Sequence, residues 1–146
     1  MTDYAFFMAK AYDQALASYQ SGGVPVGSVL VRGDEIIAEG HNQRVQKSDP
    51  IAHGEMDCLR KAGRQRSYRD TVIYTTLSPC IMCTGTILLF KIPTVVIGEC
   101  LNFGGNERLL RDRGVDVIEL NDQRCIDLMA RFIRERPELW NEDIAE

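Results

Sequence analysis

The sequence contains no long hydrophobic run. Its longest apolar stretches, such as residues 5–9, are far shorter than the roughly 20 residues that a membrane-spanning helix needs. The start, Met1-Thr2-Asp3-Tyr4, lacks the positively charged region of a secretory signal. We therefore expect a cytoplasmic protein without a membrane partner.

Cysteine and histidine are both scarce. The 146 residues include five cysteines and two histidines, and the odd number of cysteines forms no regular framework. This usage does not suit a small secreted domain held by disulfides, whereas in a reducing compartment it indicates metal binding or core packing. We expect no structural disulfide and place Cys58, Cys100 and Cys125 in the core.

An excess of basic residues is also absent. Seventeen Lys and Arg stand against 21 Asp and Glu, a formal charge of -4, while nucleic-acid binding depends on clustered positive charge. A small neutral ligand is favoured, and no nucleic acid is expected. With 45% hydrophobic and 26% charged residues, the composition is that of an ordinary globular domain. We expect one domain over residues 1–146.

Hydrophobic periodicity predicts alternating helices and strands. A helix is expected from Asp3 to about Ser21, then a hairpin of strands 24–31 and 36–38, then a helix from about His53 to Ala62-Gly63. Further along the chain the pattern predicts strand 71–76, helix 80–90, strand 95–97, helix 106–113, strand 115–120 and helix 122–136. Ser78 is expected to cap the helix that starts near Pro79. This order predicts an α/β fold, a three-layer α/β/α sandwich around a mixed five-stranded sheet.

Two short segments carry the residue types of a zinc site. They are His53-Gly54-Glu55 and Pro79-Cys80-Ile81-Met82-Cys83. Cysteines at i and i+3 share one helix face, and the free N–H groups and dipole of a helix N-terminus favour thiolates. One imidazole and two thiolates leave zinc an open fourth position, as catalytic sites do. The sequence therefore predicts Zn²⁺ bound by His53, Cys80 and Cys83.

Glu55 is the expected proton carrier of this site. It lies two residues from His53, so it does not share that residue's helical face and need not be a ligand. H-x-E followed by P-C-x-x-C is the signature of zinc nucleobase deaminases, in which the Glu is the general acid and base. We therefore predict that Glu55 is catalytic. The other histidine, His41, has no Glu two residues later and is the less favoured ligand.

Two interpretations without deamination stay open from these residues. A closed structural zinc site would need a fourth protein ligand, for which His41 and Cys58 are the nearby candidates. A thioredoxin-like redox pair could use Cys80 and Cys83, although redox chemistry has no need of the His-x-Glu segment.

The chain resembles the cytidine deaminase superfamily, and within it the small fungal-type cytosine deaminases. The similarity runs nearly end to end and includes, besides the two zinc segments, the stretches 22–27, 40–42, 46–47, 74–80, 83–85, 92–93, 96–99, 102–103, 132–133, 135–137 and 142–144. It implies a cytidine deaminase-like fold, a homodimer, and zinc-dependent hydrolytic deamination of free cytosine to uracil and ammonia. It also implies substrate contacts, namely Asn42, Gly54, Ser78, Phe103, Trp140, Asp143 and Ile144.

The resemblance assigns the polar contacts as follows. Asn42 would hydrogen-bond the pyrimidine edge and Asp143 the exocyclic amine. Gly54 and Cys80 would offer backbone N–H groups, and Ser78 would contact the leaving amine through its backbone carbonyl. Without the resemblance, Asn42 would be interpreted as a turn residue.

The apolar contacts lie in the second half of the chain. The resemblance places Phe103, Trp140 and Ile144 over the pocket, although composition by itself makes residues 140–146 a frayed acidic end. Val26 stands where the family usually has isoleucine, and the segment after Phe103 is one residue shorter. These departures bear on substrate identity and leave the metal chemistry unchanged.

Related substrates stay open at this point. The same zinc centre could deaminate another amino-heterocycle such as guanine, isocytosine or creatinine. It could also act on a base within tRNA, as the related adenosine deaminases do, although the acidic composition disfavours this.

Overall fold

A computed structural model of the chain describes residues 3–146. Its strands are β1 Gly27–Arg32, β2 Glu35–His41, β3 Thr71–Leu77, β4 Thr94–Glu99 and β5 Asp116–Glu119. They form one sheet in the order β2-β1-β3-β4-β5. β1 pairs antiparallel with β2 and β3, whereas β3–β4 and β4–β5 are parallel. The predicted mixed five-stranded sheet is confirmed.

The helices are α1 Tyr4–Gln20, α2 Gly54–Ala62, α3 Ile81–Phe90, α4 Glu107–Asp112, α5 Gln123–Glu135 and α6 Pro137–Asp143. Side chains alternate between the two faces of the sheet. Leu30 of β1 packs in a core with Cys58 and Ile87, which come from α2 and α3. Its neighbour Val29 packs in a second core with Met8 of α1. Helices therefore cover both faces, and the predicted α/β/α sandwich is confirmed.

At one end of the sheet, the termini of four strands lie side by side. The register pairs Gly27 at the start of β1 with His41 at the end of β2. It also pairs Leu77 at the end of β3 with Glu99 at the end of β4. In open sheets of this kind, ligands bind beyond the carboxyl ends of parallel strands, where the connections diverge. The chain segments that follow His41, Leu77 and Glu99 all begin at this end of the sheet.

Three details differ from the expectations. The first strand begins at Gly27 rather than Val24, because Pro25 has no N–H to donate to the sheet. Ser78 does not cap α3: the N-cap is Cys80, whose sulfur accepts from the Cys83 N–H. Cys100 is not a core thiol, since the chain leaves the sheet after β4 and its partly exposed Sγ donates to Glu119.

α6 is the element that composition missed. Residues 137–143 form a helix with proline at its first position, and Trp140 of this helix is buried. It packs in a third core beside Val24, Leu77 and Phe132. Among the helices within residues 3–146, none is long and apolar enough to span a membrane.

Candidate active site

The three predicted zinc ligands lie together at the N-termini of two helices. His53 is the N-cap residue of α2, Cys80 is that of α3, and Cys83 lies in the first turn of α3. One donor atom from each residue lies within 4.8 Å of the other two. The Cys80 Sγ is 3.4 Å from the His53 Nδ1. Tetrahedral zinc with ordinary Zn–N and Zn–S lengths holds such atoms roughly 3.5 Å apart, so the donor set fits the metal.

The two cysteines are electrostatically different. Hydrogen bonding from Cys83, supported by His53, lowers the pKa of Cys80 to about 4 against the opposing effect of burial. The same cysteine pair and burial raise the pKa of Cys83 well above its ordinary value. Burial disfavours the charged form of His53, but its bond to Cys80 and the neighbouring carboxylates raise its pKa to about 9. A cation held by these atoms would take the place of the shared protons.

Glu55 is buried beside this group. It is the second residue of α2, and only 3% of its surface is exposed. Burial, with the charge of Cys80, raises the pKa of its carboxyl to about 7 despite the opposing effect of His53. A carboxyl that gains and loses a proton near neutral pH is suited to general acid–base catalysis.

A second polar pair lies on the other side of His53. Asn42, which follows β2 and is 1% exposed, donates from Nδ2 to the Asp143 Oδ1 over 3.0 Å. Its own Oδ1 accepts from the Arg44 N–H at 2.9 Å. The Asp143 Oδ1 lies 3.8 Å from the His53 Nε2. The end of α6 therefore meets the loop after β2 directly next to the metal ligands.

A small cavity joins these groups. Its lining consists of Val26, Asn42, His53, Gly54, Glu55, Leu77, Ser78, Cys80, Phe103, Trp140, Asp143 and Ile144. Trp140 and Phe103 meet edge to face over it, with ring centroids 6.0 Å apart. The cavity holds about 20 Å³, enough for about one water molecule. Every predicted substrate contact lines it, and the cover must move for a base to enter.

Gly54 allows the close approach of α2 to the start of the sheet. A Cβ on this residue would lie 2.9 Å from the Val26 carbonyl oxygen and 3.1 Å from its Cγ1. Both distances are shorter than ordinary carbon contacts, so a side chain would push the helix away. Glycine at this position keeps His53 and Glu55 against the pocket wall.

Some supporting residues were missed by the sequence reasoning. Buried Asp57 on α2 accepts from the His41 N–H and the Gln43 side chain, both at 3.0 Å, and so fixes the loop that carries Asn42. Arg44 forms an ion pair of 2.6 Å with Glu142 and ties the same loop to α6. No local pattern marks these residues, because their partners lie on other elements.

Residues 1–99 match the family model for the zinc-binding region of cytidine and deoxycytidylate deaminases. The chain belongs to this deaminase family. The predicted superfamily is thereby confirmed, and the deaminase uses zinc, for which its structure provides His53, Cys80 and Cys83.

Several relatives of this deaminase are well matched in length. It is 56% identical over 139 residues to a cytosine deaminase of Candida albicans, with 93% of each chain covered. It is 32% identical, over an alignment of 152 positions, to a tRNA-specific adenosine deaminase of Streptococcus pyogenes, with 92% of each chain covered. Among solved structures, guanine deaminase from Bacillus subtilis superposes with a TM-score of 0.61 at 28% identity, covering 92% of this chain and 76% of that one.

The alternative fourth ligands do not join the metal group. Within residues 3–146, the group of potential ligands contains His53, Cys80 and Cys83 only. The Cys58 Sγ instead donates to the Ala38 carbonyl at 3.5 Å, and the His41 Nδ1 lies 2.9 Å from the Asn42 carbonyl oxygen. The arrangement therefore favours an open, catalytic site over a closed structural one.

Proposed function

We propose that this deaminase catalyses the hydrolytic deamination of free cytosine to uracil and ammonia. The observation that carries the proposal is one small pocket lined by His53 and Cys80 of the metal group, by buried Glu55 and by the Asn42–Asp143 pair. The 56% identity to the cytosine deaminase of Candida albicans supports cytosine as the base.

The chain's own residues divide the work between proton transfer and orientation. Zinc, when held by the imidazole and two thiolates, supplies a Lewis acid that makes water a nucleophile at neutral pH. Glu55 lines the pocket beside the ligands. It takes one proton from the water that attacks C4 and passes it to N3 of the ring. It then carries the second proton of that oxygen to the amine, which leaves as ammonia while the C4 carbonyl forms.

Orientation comes from groups around the ring. Asn42 offers its amide to the pyrimidine edge, and Asp143 accepts from the exocyclic amine. Gly54 and Cys80 contribute backbone N–H groups, and Ser78 contributes its backbone carbonyl. Each of these residues lines the same cavity. Phe103, Trp140 and Ile144 exclude water from it, which strengthens the electrostatic interactions inside.

Pocket size favours a single ring over two. The cavity of about 20 Å³ must already expand for a pyrimidine, and a purine would need a larger displacement of the Phe103 and Trp140 rings. Guanine is therefore a weaker candidate than cytosine.

A base within RNA is disfavoured by the location of the positive charge. An open surface groove runs beside α2 and α3. The basic residues of its lining, Arg60, Arg64, Arg66, Arg69 and Lys91, lie in or after the last turns of these helices. The pocket lies at the N-terminus of α2, a helix whose nine residues span about 13 Å. A nucleotide flipped into the pocket would instead meet Asp143 and Glu142 of α6, of which Glu142 is paired with Arg44.

A substrate panel tests the proposal. Purified zinc-loaded protein is assayed for ammonia release from cytosine, isocytosine, guanine, creatinine and a tRNA. We expect cytosine to have the highest kcat/KM. A higher value for any other compound, or no release from cytosine, would overturn the assignment.

We also propose a homodimer that forms through the exposed face of α3. Ile81 and Leu89, at i and i+8 on this helix, are 66% and 74% exposed, and Gly85 lies between them. Exposed apolar stripes of this kind mark interaction surfaces. Light scattering should give a dimer for the wild type and a monomer for Leu89→Glu. Phe6→Glu, on α1 across the sheet, is the control and should stay dimeric; a monomeric wild type would contradict the proposal.

Residues 1–146 are proposed to form a single domain, because the one sheet contributes to each of the three cores. One cooperative unfolding transition by calorimetry would support this, and two separable transitions would contradict it. The cytoplasmic location stays a prediction.

A further inference from the structure

Ser78 lines the pocket, but its hydroxyl group is bonded elsewhere. The residue is 2% exposed, and its Oγ donates a short hydrogen bond to the Glu107 carboxylate, which is not among the lining residues. The backbone N–H of Ser78 donates to the Glu99 carbonyl oxygen at 2.9 Å. Ser78 is thus held from two sides, with its backbone rather than its hydroxyl available to the cavity.

Glu107 gathers several donors on one carboxylate. Besides the Ser78 hydroxyl, its Oε2 accepts from the backbone N–H groups of Gly105 at 3.0 Å and Asn106 at 3.2 Å. The Asn106 side chain in turn donates from Nδ2 to the Pro79 carbonyl oxygen at 3.0 Å. Two contacts therefore fasten residues 105–107 to the segment that enters α3. Hydrogen bonds to a carboxylate are stronger than those between neutral groups.

We propose that Glu107 is a positioning residue, which acts through the Ser78 hydroxyl to orient the Ser78 backbone toward the leaving amine. The proposal rests on the deamination of cytosine proposed above. Small displacements of an orienting group are costly in catalysis, since an error of about 1 Å can reduce the rate by roughly 100-fold. Glu107 itself need not touch the base.

The experiment separates the amine contact from general damage to the pocket. Ser78→Ala removes the hydroxyl and keeps the backbone, and Glu107→Ala removes the acceptor. We expect kcat/KM for cytosine to fall about tenfold in Ser78→Ala and further in Glu107→Ala. The Kd for uracil, which lacks the amine, should change less than about twofold in Ser78→Ala, and zinc content should stay at the wild-type value.

Additional variants test whether Glu107 acts through the Ser78 hydroxyl. Glu107→Gln retains an acceptor and should recover most of the activity lost in Glu107→Ala, and it serves if the alanine variant does not fold. The double variant Ser78→Ala/Glu107→Ala should have the same kcat/KM as Glu107→Ala, because both changes remove the same Ser78–Glu107 hydrogen bond. Glu119→Ala is the control, since that carboxylate bonds Cys100 and Arg111 and should leave kcat/KM unchanged.

Two results would overturn the proposal. One is wild-type kcat/KM in both Ser78→Ala and Glu107→Ala. The other is equal loss of cytosine turnover and uracil affinity in Ser78→Ala, which would show distortion of the whole pocket. If the wild type does not deaminate cytosine, the proposed function fails separately, and the same comparison is made with the base it does deaminate and that base's product.

Discussion

Replacing Trp140 by alanine should release α6 from the pocket. The side chain is 7% exposed and packs edge to face on Phe103. Truncating a buried tryptophan costs about 3–5 kcal/mol, of which the aromatic pair contributes about 0.5–1.5 kcal/mol. Because α6 is a separate helix of seven residues that packs beside the sheet through the third core, this cost falls mainly on its docking rather than on unfolding of the sheet.

The free energy lost at Trp140 sets the expected loss of activity. A loss of about 3 kcal/mol lowers the ratio of docked to undocked α6 by roughly two orders of magnitude. Asp143 and Ile144 leave the pocket with the helix, so kcat/KM for cytosine should fall between about tenfold and 100-fold. Zinc content should be unchanged, because the three proposed ligands lie on α2 and α3.

Hydrogen exchange measures the docking directly. The backbone N–H of Ile144 donates to the Trp140 carbonyl, and that of Glu146 to the Asn141 carbonyl at 2.8 Å. Both amides should exchange faster in Trp140→Ala, whereas amides of β3 should keep their protection. Trp140→Phe retains a ring and should show a smaller effect. Wild-type activity together with wild-type exchange at Ile144 would refute the reasoning.

Three other variants and probes follow from the site. Glu55→Gln should retain zinc and lose turnover by about 100-fold or more, since the amide cannot carry the proton; measured ammonia release near wild type would contradict this role. Gly54→Ala should lower kcat/KM at least about tenfold because of the Val26 contact, and a wild-type value in the ammonia-release assay would contradict this. Burial raises the pKa of Cys58 to about 12, so its thiol should resist iodoacetamide in the folded protein at pH 8, and mass spectrometry showing rapid native alkylation would be inconsistent with that burial.

The order of the elements was accessible to sequence reasoning because each element carries its own period. The β-branched run of β3 and the apolar stripe of α5 are local signals. α6 lacks such a stripe and is stabilised by the packing of one residue, Trp140, against distant cores. Its local signals were limited to Pro137 at the first helical position and Glu138 in the first turn.

The residues of the site also fall into two groups, those with a local sequence pattern and those whose partners are distant in sequence. Spacing within a helix turn and a known signature indicate the metal ligands and Glu55. The hydrogen bond between Asn42 and Asp143 joins residues 101 positions apart, and no local pattern encodes it. The expectation for Ser78 failed for a similar reason: its hydroxyl has a partner 29 positions away, so it is unavailable as the cap of α3.

Zinc K-edge X-ray absorption on the loaded protein tests the central claim most directly. The proposed open site predicts two sulfur ligands at about 2.3 Å, one imidazole nitrogen at about 2.0 Å and one light atom from outside the chain. Removing Cys80 or Cys83 by alanine substitution should reduce the sulfur number to one. A spectrum with four protein ligands, whether a third sulfur or a second imidazole, would contradict the catalytic site proposed here.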